Sequence, residues 1–387
     1  MNSKLPGVDK VEGVRFSIPV HRRLELLDLI QWDSLQLDGG FYSSSPWLRH
    51  AERTADRPPF YFTAVDGDRL CAAMPAYPLS LEAPFTFCRP DHVIDRISVE
   101  ATGLPTGWSK QLMPGLACGA RNPSHSGIAA ADDLDMRTQR AMYEAVVEKA
   151  ERVARDDALK SVAFLYVDAT DDGLRAVLEQ AGYAALHCET TYSLTLPPSE
   201  DFAGYLARLR THRRGGVRRD MRALEAAGVT YRVRSLSDDL VGQLAPLEAQ
   251  LYDRHGTVGD EASLRAVLHS ISNNVAGHSE VVTAEVDGQL GGFVLIFTHG
   301  RGLYARQAGF DYSVKGSLPL YFGLIFYELV RLAQSRGLSA IHYSIGAGEV
   351  KESRGCAGVE QIAYVKSFAP QIQRRVLDLA QLSPPRS

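Results

Sequence analysis

TAVDGDRLCAAMPAY (residues 63–77) and TAEVDGQLGGFVLIF (residues 283–297) are two copies of one pattern. In each copy an Asp-Gly pair separates two apolar runs, which is typical of a short β-hairpin. Each hairpin is followed by a helical pattern and then by an apolar strand. These segments are residues 142–155 and 161–168 in the first copy and residues 321–336 and 338–345 in the second. The order hairpin, helix, strand occurs twice and predicts a structural duplication within a mixed α/β fold.

The segments around the two copies differ. Residues 79–132 are rich in Pro, Gly and Asp, which predicts long loops with short elements. Between the copies, residues 197–228 place apolar side chains at helical spacing. Because Gly215 and Gly216 weaken a helix, the pattern fits one continuous helix and two helices with a break at these glycines equally well. A strand is predicted at 229–236, with helices at 238–254 and 261–272.

Composition excludes several classes of protein. The chain has 387 residues, 45% of them hydrophobic, and a net charge of -4, which indicates a globular protein of two to three domains. Its five cysteines are odd in number and show no CxxC spacing, so we expect no disulfide framework, no structural zinc and no other bound metal. The first 20 residues carry charges where a secretory signal needs an apolar run, and no apolar stretch is long enough to span a membrane. We expect a cytoplasmic protein without a membrane partner.

A run of arginines is the strongest charge anomaly. Residues 208–222 hold seven arginines, His212 and a single acid, Asp220, for a formal charge of +6. Such a run attracts phosphate groups, as in a cofactor, a tRNA or a phosphorylated substrate. The alternative is a helix face that contacts only water. Because few aromatic residues are interleaved, we do not expect sequence-specific reading of nucleic acid.

Two loops in the second copy carry further candidate residues. Residues 311–319 connect a strand to a helix that begins near Pro319, and the free N–H groups of such a helix start attract anions. Residues 343–354 combine Gly346, Gly348, Lys351 and Arg354, without the third glycine of a dinucleotide-binding motif. A Walker motif and a GxSxG elbow are also absent from the sequence, so the chain offers no nucleophile motif.

The order of these segments resembles the Fem-type branch of the GNAT superfamily of N-acyltransferases, specifically proteins described as acting in peptidoglycan biosynthesis or recognition. The resemblance covers residues 202–367 well, through the arginine run, the second hairpin, the segment LYARQAGFDYSVKGSLPLYFG (303–323) and the late IGAGEVKESRG (345–355). In the first half it depends on FYSSSPWLRH (41–50) and MPAY (74–77).

The resemblance implies two tandem GNAT-like domains, each a mixed, largely antiparallel sheet flanked by helices. We place them at residues 1–198 and 199–387, the second with a basic helical entry segment.

The resemblance also implies transfer of an activated acyl group to an amine, with aminoacyl-tRNA or acyl-CoA as a donor substrate and no permanently bound cofactor. The pyrophosphate-loop pattern of acetyltransferases is not clean around residues 314–317, which favours aminoacyl-tRNA. The long coiled arm of cell-wall Fem enzymes is not evident, which favours a small soluble amine as acceptor, as in natural-product biosynthesis. A non-catalytic tRNA or cell-wall-fragment binding protein is the competing class.

Transfer of this kind requires donor and acceptor to be held together, the oxyanion to be stabilised and one proton to be moved. We expect Lys351 and Arg354 near the reacting carbonyl or the terminal phosphate of the donor. Tyr304, Tyr312 and Tyr343 are candidates to relay a proton or to contact the acceptor, and Asp311 is a candidate to orient the acceptor amine. The expected site residues fall into three groups. The catalytic candidates are Tyr304, Asp311, Tyr343 and Lys351; the donor-binding candidates are Arg213, Arg214, Arg218, Arg219, Lys315, Ser317 and Arg354; and the substrate-binding candidates are Arg306, Tyr312 and Tyr321.

Overall fold

The computed structural model describes residues 9–11, 14–35, 40–83, 85–122, 125–254, 256 and 259–385. These form two compact units. Unit 1 comprises the described residues of Met1–Gln36, Tyr42–Thr191 and Val359–Ser387, and unit 2 comprises those of Tyr192–Gly358 with Phe41.

Fifteen strands and fourteen α-helices occur in the described residues. The strands are β1 (Asp9–Val11), β2 (Val14–Phe16), β3 (Val20–His21), β4 (Phe60–Asp66), β5 (Arg69–Leu79), β6 (Gly115–Cys118), β7 (Ala129–Ala130), β8 (Ser161–Asp168), β9 (Ala184–Thr195), β10 (Thr230–Ser235), β11 (Ser279–Val286), β12 (Gln289–His299), β13 (Gly302–Phe310), β14 (Ala340–Ile345) and β15 (Ala357–Ser367). The helices are α1 (Leu29–Ser34), α2 (Ser45–Arg53), α3 (Pro90–Thr102), α4 (Met136–Asp156), α5 (Asp172–Gln180), α6 (Phe202–Arg208), α7 (Thr211–Ala226), α8 (Asp238–Arg254), α9 (Glu261–Asn274), α10 (Tyr312–Lys315), α11 (Leu320–Phe322), α12 (Leu329–Ser335), α13 (Gly348–Glu352) and α14 (Pro370–Leu382). A π-helical segment, Gly323–Glu328, joins α11 to α12.

The predicted duplication is present in the strand order. In unit 1 the hairpin β4–β5 is followed by β6, antiparallel to β5, then by α4 and by β8, parallel to β6. In unit 2 the hairpin β11–β12 is followed by β13, antiparallel to β12, then by a helix and by β14, parallel to β13. Each hairpin also has a register shift directly after its Thr-Ala pair, at Ala64/Val65 and at Ala284/Glu285. Each unit is a mixed, largely antiparallel sheet flanked by helices, as the sequence predicted.

The two hairpin turns differ in detail. Asp287 and Gly288 both have positive φ, of 49° and 77°, and form the two-residue turn that the Asp-Gly signal predicts. In the first hairpin Asp66 pairs with Arg69, so the central residues are Gly67 and Asp68, one position later than the sequence pattern indicated.

The domain boundary differs from the sequence prediction, which divided the chain between residues 198 and 199. The chain passes between the units at residues 191–192, and its last segment from residue 359 returns to unit 1. The physical reason is strand pairing: β15 lies antiparallel to β8, with Gln361 opposite Asp168 and Ser367 opposite Ser161. A pairing between strands almost 200 residues apart leaves no local signal in the sequence.

Residues 79–132 also differ from the expected loops, because they contain the 13-residue helix α3 and the strand β6. Pro90 suits the first turn of α3, and Gly103, with φ of 79°, ends the helix. Ile94 and Ile97 are buried in one core of unit 1, on the side of the sheet that α14 also covers. The other side of that sheet is covered by α4 and α5.

In unit 2 the segment before β10 forms two helices, but the break is not at Gly215-Gly216. It lies at Leu209-Arg210, between α6 and α7, and both glycines stay inside α7. The core of the unit includes Leu224 of α7 and Phe326 of the π-helical segment, together with Ile296 of β12. Helix α7 is therefore packed against the same core as the helix that connects β13 to β14.

We predict opposite effects for two glycine substitutions in unit 2. A Cβ at Gly309 would collide with the backbone of α8 at Leu247 and Glu248, so Gly309→Ala should lower the free energy of unfolding by about 1–3 kcal/mol. A Cβ at Gly215 meets nothing within 4 Å, so Gly215→Ala should raise the free energy of unfolding by up to about 1 kcal/mol. Urea unfolding of both variants checks this, and equal stability of Gly309→Ala and the parent protein would contradict the close packing of α8 on β13.

Candidate functional site

Helix α7 carries most of the arginine run, and we call it the arginine helix. Four of its arginines, Arg213, Arg218, Arg219 and Arg222, are exposed. None of these four forms a salt bridge with an acid among the described residues. Their charges are therefore available to a ligand from solvent.

Two other arginines of the run have local partners. Arg208, in α6, is bonded to Glu200 at 2.7 Å and to the carbonyl of Thr195 at 3.0 Å. Arg214 is half-buried and donates to the Thr211 hydroxyl at 2.9 Å. Of the four donor-binding arginines predicted from the sequence, Arg214 is thus the least available.

Asp220, the only acid of the run, has its partners in the core of unit 2. The Tyr327 hydroxyl donates to Asp220 Oδ2 at 2.7 Å, and Arg354 Nη2 lies 3.6 Å from the same oxygen. Both partners are largely buried, Tyr327 in the π-helical segment and Arg354 just after α13. Asp220 therefore fixes the inner side of the arginine helix while the arginines remain outside. The sequence offered one signal for this residue, since it is the single acid among seven arginines.

Close packing supports the same arrangement. A Cβ at Gly323, the first residue of the π-helical segment, would collide with Leu224 of α7 and with the Tyr231 hydroxyl of β10. The glycine lets the arginine helix approach the π-helical segment. Segments of π-helix are rare and frequently occur at functional sites.

Lys351 holds an unusual turn at the end of β14. Its buried ammonium donates to the carbonyls of Tyr343, Ser344 and Ile345 at 2.8, 3.0 and 2.8 Å. Ser344 has φ of 57°, a left-handed conformation that costs energy for a residue with a side chain. An ammonium group has three N–H donors, and three carbonyls take them up. We call residues 343–351 the lysine-held turn. The contacts favour a positioning role for Lys351 over the direct contact with the reacting carbonyl that the sequence suggested.

Two of the tyrosines predicted to relay protons belong to the core. The Tyr343 hydroxyl donates to the carbonyl of Ile325 at 3.1 Å, and burial raises the pKa of Tyr343 well above its ordinary value. Tyr304 is buried and its ring stacks on His342, with centroids 4.4 Å apart. Both rings therefore belong to the core, a position that the sequence did not indicate because aromatic spacing alone does not tell which face of a strand meets the core.

Arg354, which we expected near the reacting carbonyl or the terminal phosphate of the donor, is also buried. Its guanidinium lies 4.1 Å from the centroid of the Phe322 ring, and Nη1 donates to the Ser353 hydroxyl at 2.9 Å. Its backbone carbonyl accepts a hydrogen bond from the Tyr205 hydroxyl of α6. Arg354 thus links α6, α7 and the π-helical segment.

The loop after β13 contains a second group of candidates. Asp311 accepts hydrogen bonds from the N–H groups of Ser313 and Val314 at 2.9 and 3.2 Å, so it caps α10. The hydrogen bond from the Ser313 hydroxyl contributes most to lowering the pKa of Asp311. Burial, and then the charge of Arg254, lower the pKa of Lys315.

The remaining candidates have mixed surroundings. Ser317 is exposed, just before α11. Arg254 lies 4.6 Å above the Tyr312 ring, and Tyr321 is half-buried against Phe310. Arg306 is half-buried and is the extra residue of a β-bulge, since Leu295 pairs with Gln307 and the next residue pairs with Ala305.

Next to that bulge lies a titratable group that the sequence analysis missed. Glu248 of α8 is 2% exposed, and Gln307 Nε2 donates to both of its carboxylate oxygens at 3.0 and 3.1 Å. Burial raises the pKa of Glu248 to about 7, against the opposing effects of the Gln307 hydrogen bond and the charge of Arg306. A carboxyl group in this range is able to exchange a proton near neutral pH. Its burial depends on packing between α8 and β13, which the sequence does not encode locally.

Within the described ranges no group of three or more His, Cys, Asp or Glu side chains is arranged to hold a metal ion. The described helices include none that combines the length and the apolar character required to cross a membrane.

Solved structures with similar folds include FemX, with 9% sequence identity over 91% of this chain and 98% of that chain and a TM-score of 0.63. A conserved protein of unknown function from Bacteroides thetaiotaomicron is 13% identical over 91% of this chain and all of its own, with a TM-score of 0.53. A tandem GNAT protein from the clavulanic acid biosynthesis pathway is 12% identical over 92% of this chain and 99% of its own, with a TM-score of 0.49. None of the curated protein sequences matches the chain.

The fold is thus that of a Fem-type, GNAT-like acyltransferase. The chain belongs to the FemAB-like family, described as peptidoglycan biosynthesis/recognition, whose model matches residues 130–381. The resemblance inferred from the sequence is confirmed, and the protein is an acyltransferase related to those of peptidoglycan biosynthesis.

The raised pKa of Glu248 predicts a pH dependence of stability. The unfolded chain ionises this carboxyl near 4.5, whereas the folded chain does so near 7. Between these values the folded state binds more protons, so Glu248 makes stability fall as pH rises, by roughly 3 kcal/mol at full ionisation. Glu248→Gln removes the ionisation and keeps the shape, so it should be more stable than the parent protein at pH 8 and lack this part of the slope. Urea unfolding at pH 5 and pH 8 measures this, and equal slopes in both proteins would contradict it.

Proposed function

We propose that the protein transfers an aminoacyl group from aminoacyl-tRNA to the amine of a small soluble acceptor, forming an amide bond. The observation that carries the proposal is the arginine helix, which presents four exposed arginines without acidic partners among the described residues, while Asp220 is turned inward. Such a surface attracts a polyanion, and affinity that comes from phosphate neutralisation depends steeply on salt.

The extent of the charged surface favours tRNA over CoA as the donor. From Arg210 to Arg222 the run advances by about 18 Å at helical rise, a length that suits a phosphate backbone running along the helix. A single pyrophosphate occupies only about one helical turn. Gly215 and Gly216 lie in the middle of this length with open space around them, so a backbone phosphate is able to approach the helix closely.

The acceptor that we propose is a small amine, as in natural-product biosynthesis. Residues 202–226 form two helices of 7 and 16 residues, and the described part of the chain contains no long coiled arm of the kind expected in cell-wall Fem enzymes. Without such an arm, we expect the acceptor to be a small soluble amine and not a lipid-linked peptidoglycan precursor.

The proposed chemistry needs no covalent enzyme intermediate. A neutral amine attacks the ester carbonyl of the donor, the bond between the carbonyl carbon and the ribose oxygen breaks, and the ribose hydroxyl takes up a proton. Arg213, Arg218 and Arg219 contact donor phosphates, with Arg214 as a weaker contact.

The other predicted site residues have supporting roles in this proposal. Lys315 ends α10 and Ser317 lies between α10 and α11, and both contact the donor end. Arg306, Tyr312 and Tyr321 line the substrate side. Lys351 and Arg354 position the lysine-held turn and the arginine helix without touching the reacting atoms.

Removing three arginines tests the donor assignment. The triple variant Arg213→Ala, Arg218→Ala and Arg219→Ala should bind aminoacyl-tRNA more weakly and with a shallower salt dependence, because each lost phosphate contact removes about 0.7–0.9 from the slope of log affinity against log salt. Gel-shift titration between about 50 and 200 mM salt measures this slope.

The matched control is Arg374→Ala with Arg375→Ala, which removes exposed charges from α14 of unit 1. It should leave the slope unchanged. If both sets of variants change the slope equally, binding reflects the overall charge and the assignment to the arginine helix is wrong. A thermal shift with an acyl-CoA and none with tRNA would favour a CoA-dependent acyltransferase instead. Salt-steep tRNA binding without any transfer would favour a non-catalytic binding protein.

A further inference from the structure

An arginine outside the arginine helix lies beside the proposed substrate residues of unit 2. Arg254 is the last residue of α8 and is exposed. Its guanidinium lies 4.6 Å from the centroid of the Tyr312 ring, at the start of α10. None of the described acids forms a salt bridge with Arg254. Its charge is therefore held on the substrate side and is available to a ligand.

Contacts between α8 and α10 fix the position of this arginine. The backbone N–H of Tyr312 donates to Gln250 Oε1 at 3.3 Å. Gln250 and Arg254 are four residues apart on α8, so one face of the helix contacts both the backbone and the ring of Tyr312. A guanidinium stacked on a ring keeps its N–H edge free, and this planar fork matches the two oxygens of a carboxylate.

A second cation makes the same surface unfavourable for a simple ammonium ion. Lys315 is the last residue of α10, three positions after Tyr312, and is half-buried. Burial, and then the charge of Arg254, lower the pKa of Lys315. A bound ammonium group would meet the same neighbouring positive charge, which disfavours its charged form. A ligand with a negative charge would instead be attracted.

The acids nearest to these cations in the sequence do not offset them. Asp311 is taken up in capping α10. Glu248 is 2% exposed, and its carboxylate accepts two hydrogen bonds from Gln307. Asp253 is exposed, but neighbouring residues of a helix point about 100° apart, so its side chain leaves α8 on a different face from Arg254. The surface therefore favours an acceptor that brings a negative charge of its own.

We propose that the acceptor amine carries a carboxylate, as an amino acid or a short peptide does, and that Arg254 binds this carboxylate. This inference rests on the proposed amide-forming function and specifies its acceptor. Arg254 donates two parallel N–H bonds to the carboxylate while Tyr312 holds the guanidinium in place. Lys315 keeps its contact with the donor end. The amine of the acceptor remains free to attack the donor carbonyl.

A pair of matched acceptors tests the proposal. Glycylglycine and glycylglycinamide have the same amine next to the same peptide bond, but only glycylglycine has a carboxylate. With aminoacyl-tRNA as donor, the KM of the parent protein should be lower for glycylglycine by about 5-fold or more, with similar kcat. Arg254→Gln should raise the KM for glycylglycine to that for glycylglycinamide. Arg254→Lys should retain part of the preference, because it keeps the charge but not the fork.

The matched control is Arg301→Gln. Arg301 is exposed in the turn between β12 and β13, at the other end of β13 from Asp311 and about 30 Å away at the rise of a strand. This variant loses the same charge and should keep both KM values. Equal losses of preference in Arg301→Gln and Arg254→Gln would overturn the assignment. An unchanged preference in Arg254→Gln with a raised KM for aminoacyl-tRNA would also overturn it, because Arg254 would then contact the donor.

Chemical modification tests the same site without any transfer reaction. Phenylglyoxal modifies accessible arginines, and mass spectrometry locates the modified residues. Glycylglycine should protect Arg254, whereas glycylglycinamide should not, and neither dipeptide should protect Arg301. Equal effects of the two dipeptides on Arg254 would overturn the proposal.

The outcomes separate the carboxylate site from the proposed function. If the parent protein transfers the aminoacyl group equally well to both dipeptides, the carboxylate site is wrong while the proposed function stands. If the parent protein shows no transfer but glycylglycine alone protects Arg254, the proposed function fails and the carboxylate site remains supported. If protection is absent, the carboxylate site fails whatever the transfer assay gives.

Discussion

The arginine helix depends on one inward contact, in which Asp220 accepts a hydrogen bond from Tyr327 and lies near the buried Arg354. Separating a buried cation from a nearby carboxylate costs free energy, because each charge would then remain unpaired away from water. The contact therefore keeps one face of the helix on the core and directs the exposed arginines outward. Arg354 follows directly on the lysine-held turn, so the orientation of the helix and the conformation of the turn share one set of side chains.

The internal duplication places chemistry at equivalent positions of the two units. In each unit a pair of parallel strands, β6 with β8 and β13 with β14, follows a hairpin and an antiparallel strand. Unit 1 has the His125–Asp168 pair at the carboxyl ends of these strands, and unit 2 has the lysine-held turn. The repeated scaffold therefore carries different side chains at the same edge of the two units.

Local features of the fold were predictable from the sequence, whereas long-range pairings were not. The hairpins, the helix at 238–254 and the repeated order follow from turn chemistry and periodicity, which act over a few residues. The return of β15 to unit 1 and the burial of Glu248 depend on residues far away in the sequence. For the candidate site, charge density in the sequence drew attention to the arginines. The sequence did not predict that the Lys351 ammonium would donate to three backbone carbonyls, or that the Tyr343 side chain would lie in the core.

The proposed function depends above all on aminoacyl-tRNA as the donor. The most direct measurement is product formation: the purified protein is incubated with glycinamide and either a mixed aminoacyl-tRNA pool or a set of acyl-CoAs, and the amide products are identified by mass spectrometry. We expect aminoacyl-glycinamide from the tRNA pool, abolished by prior ribonuclease treatment, and no product from the acyl-CoAs. Acyl-glycinamide formed from an acyl-CoA, with none from the tRNA pool, would contradict it.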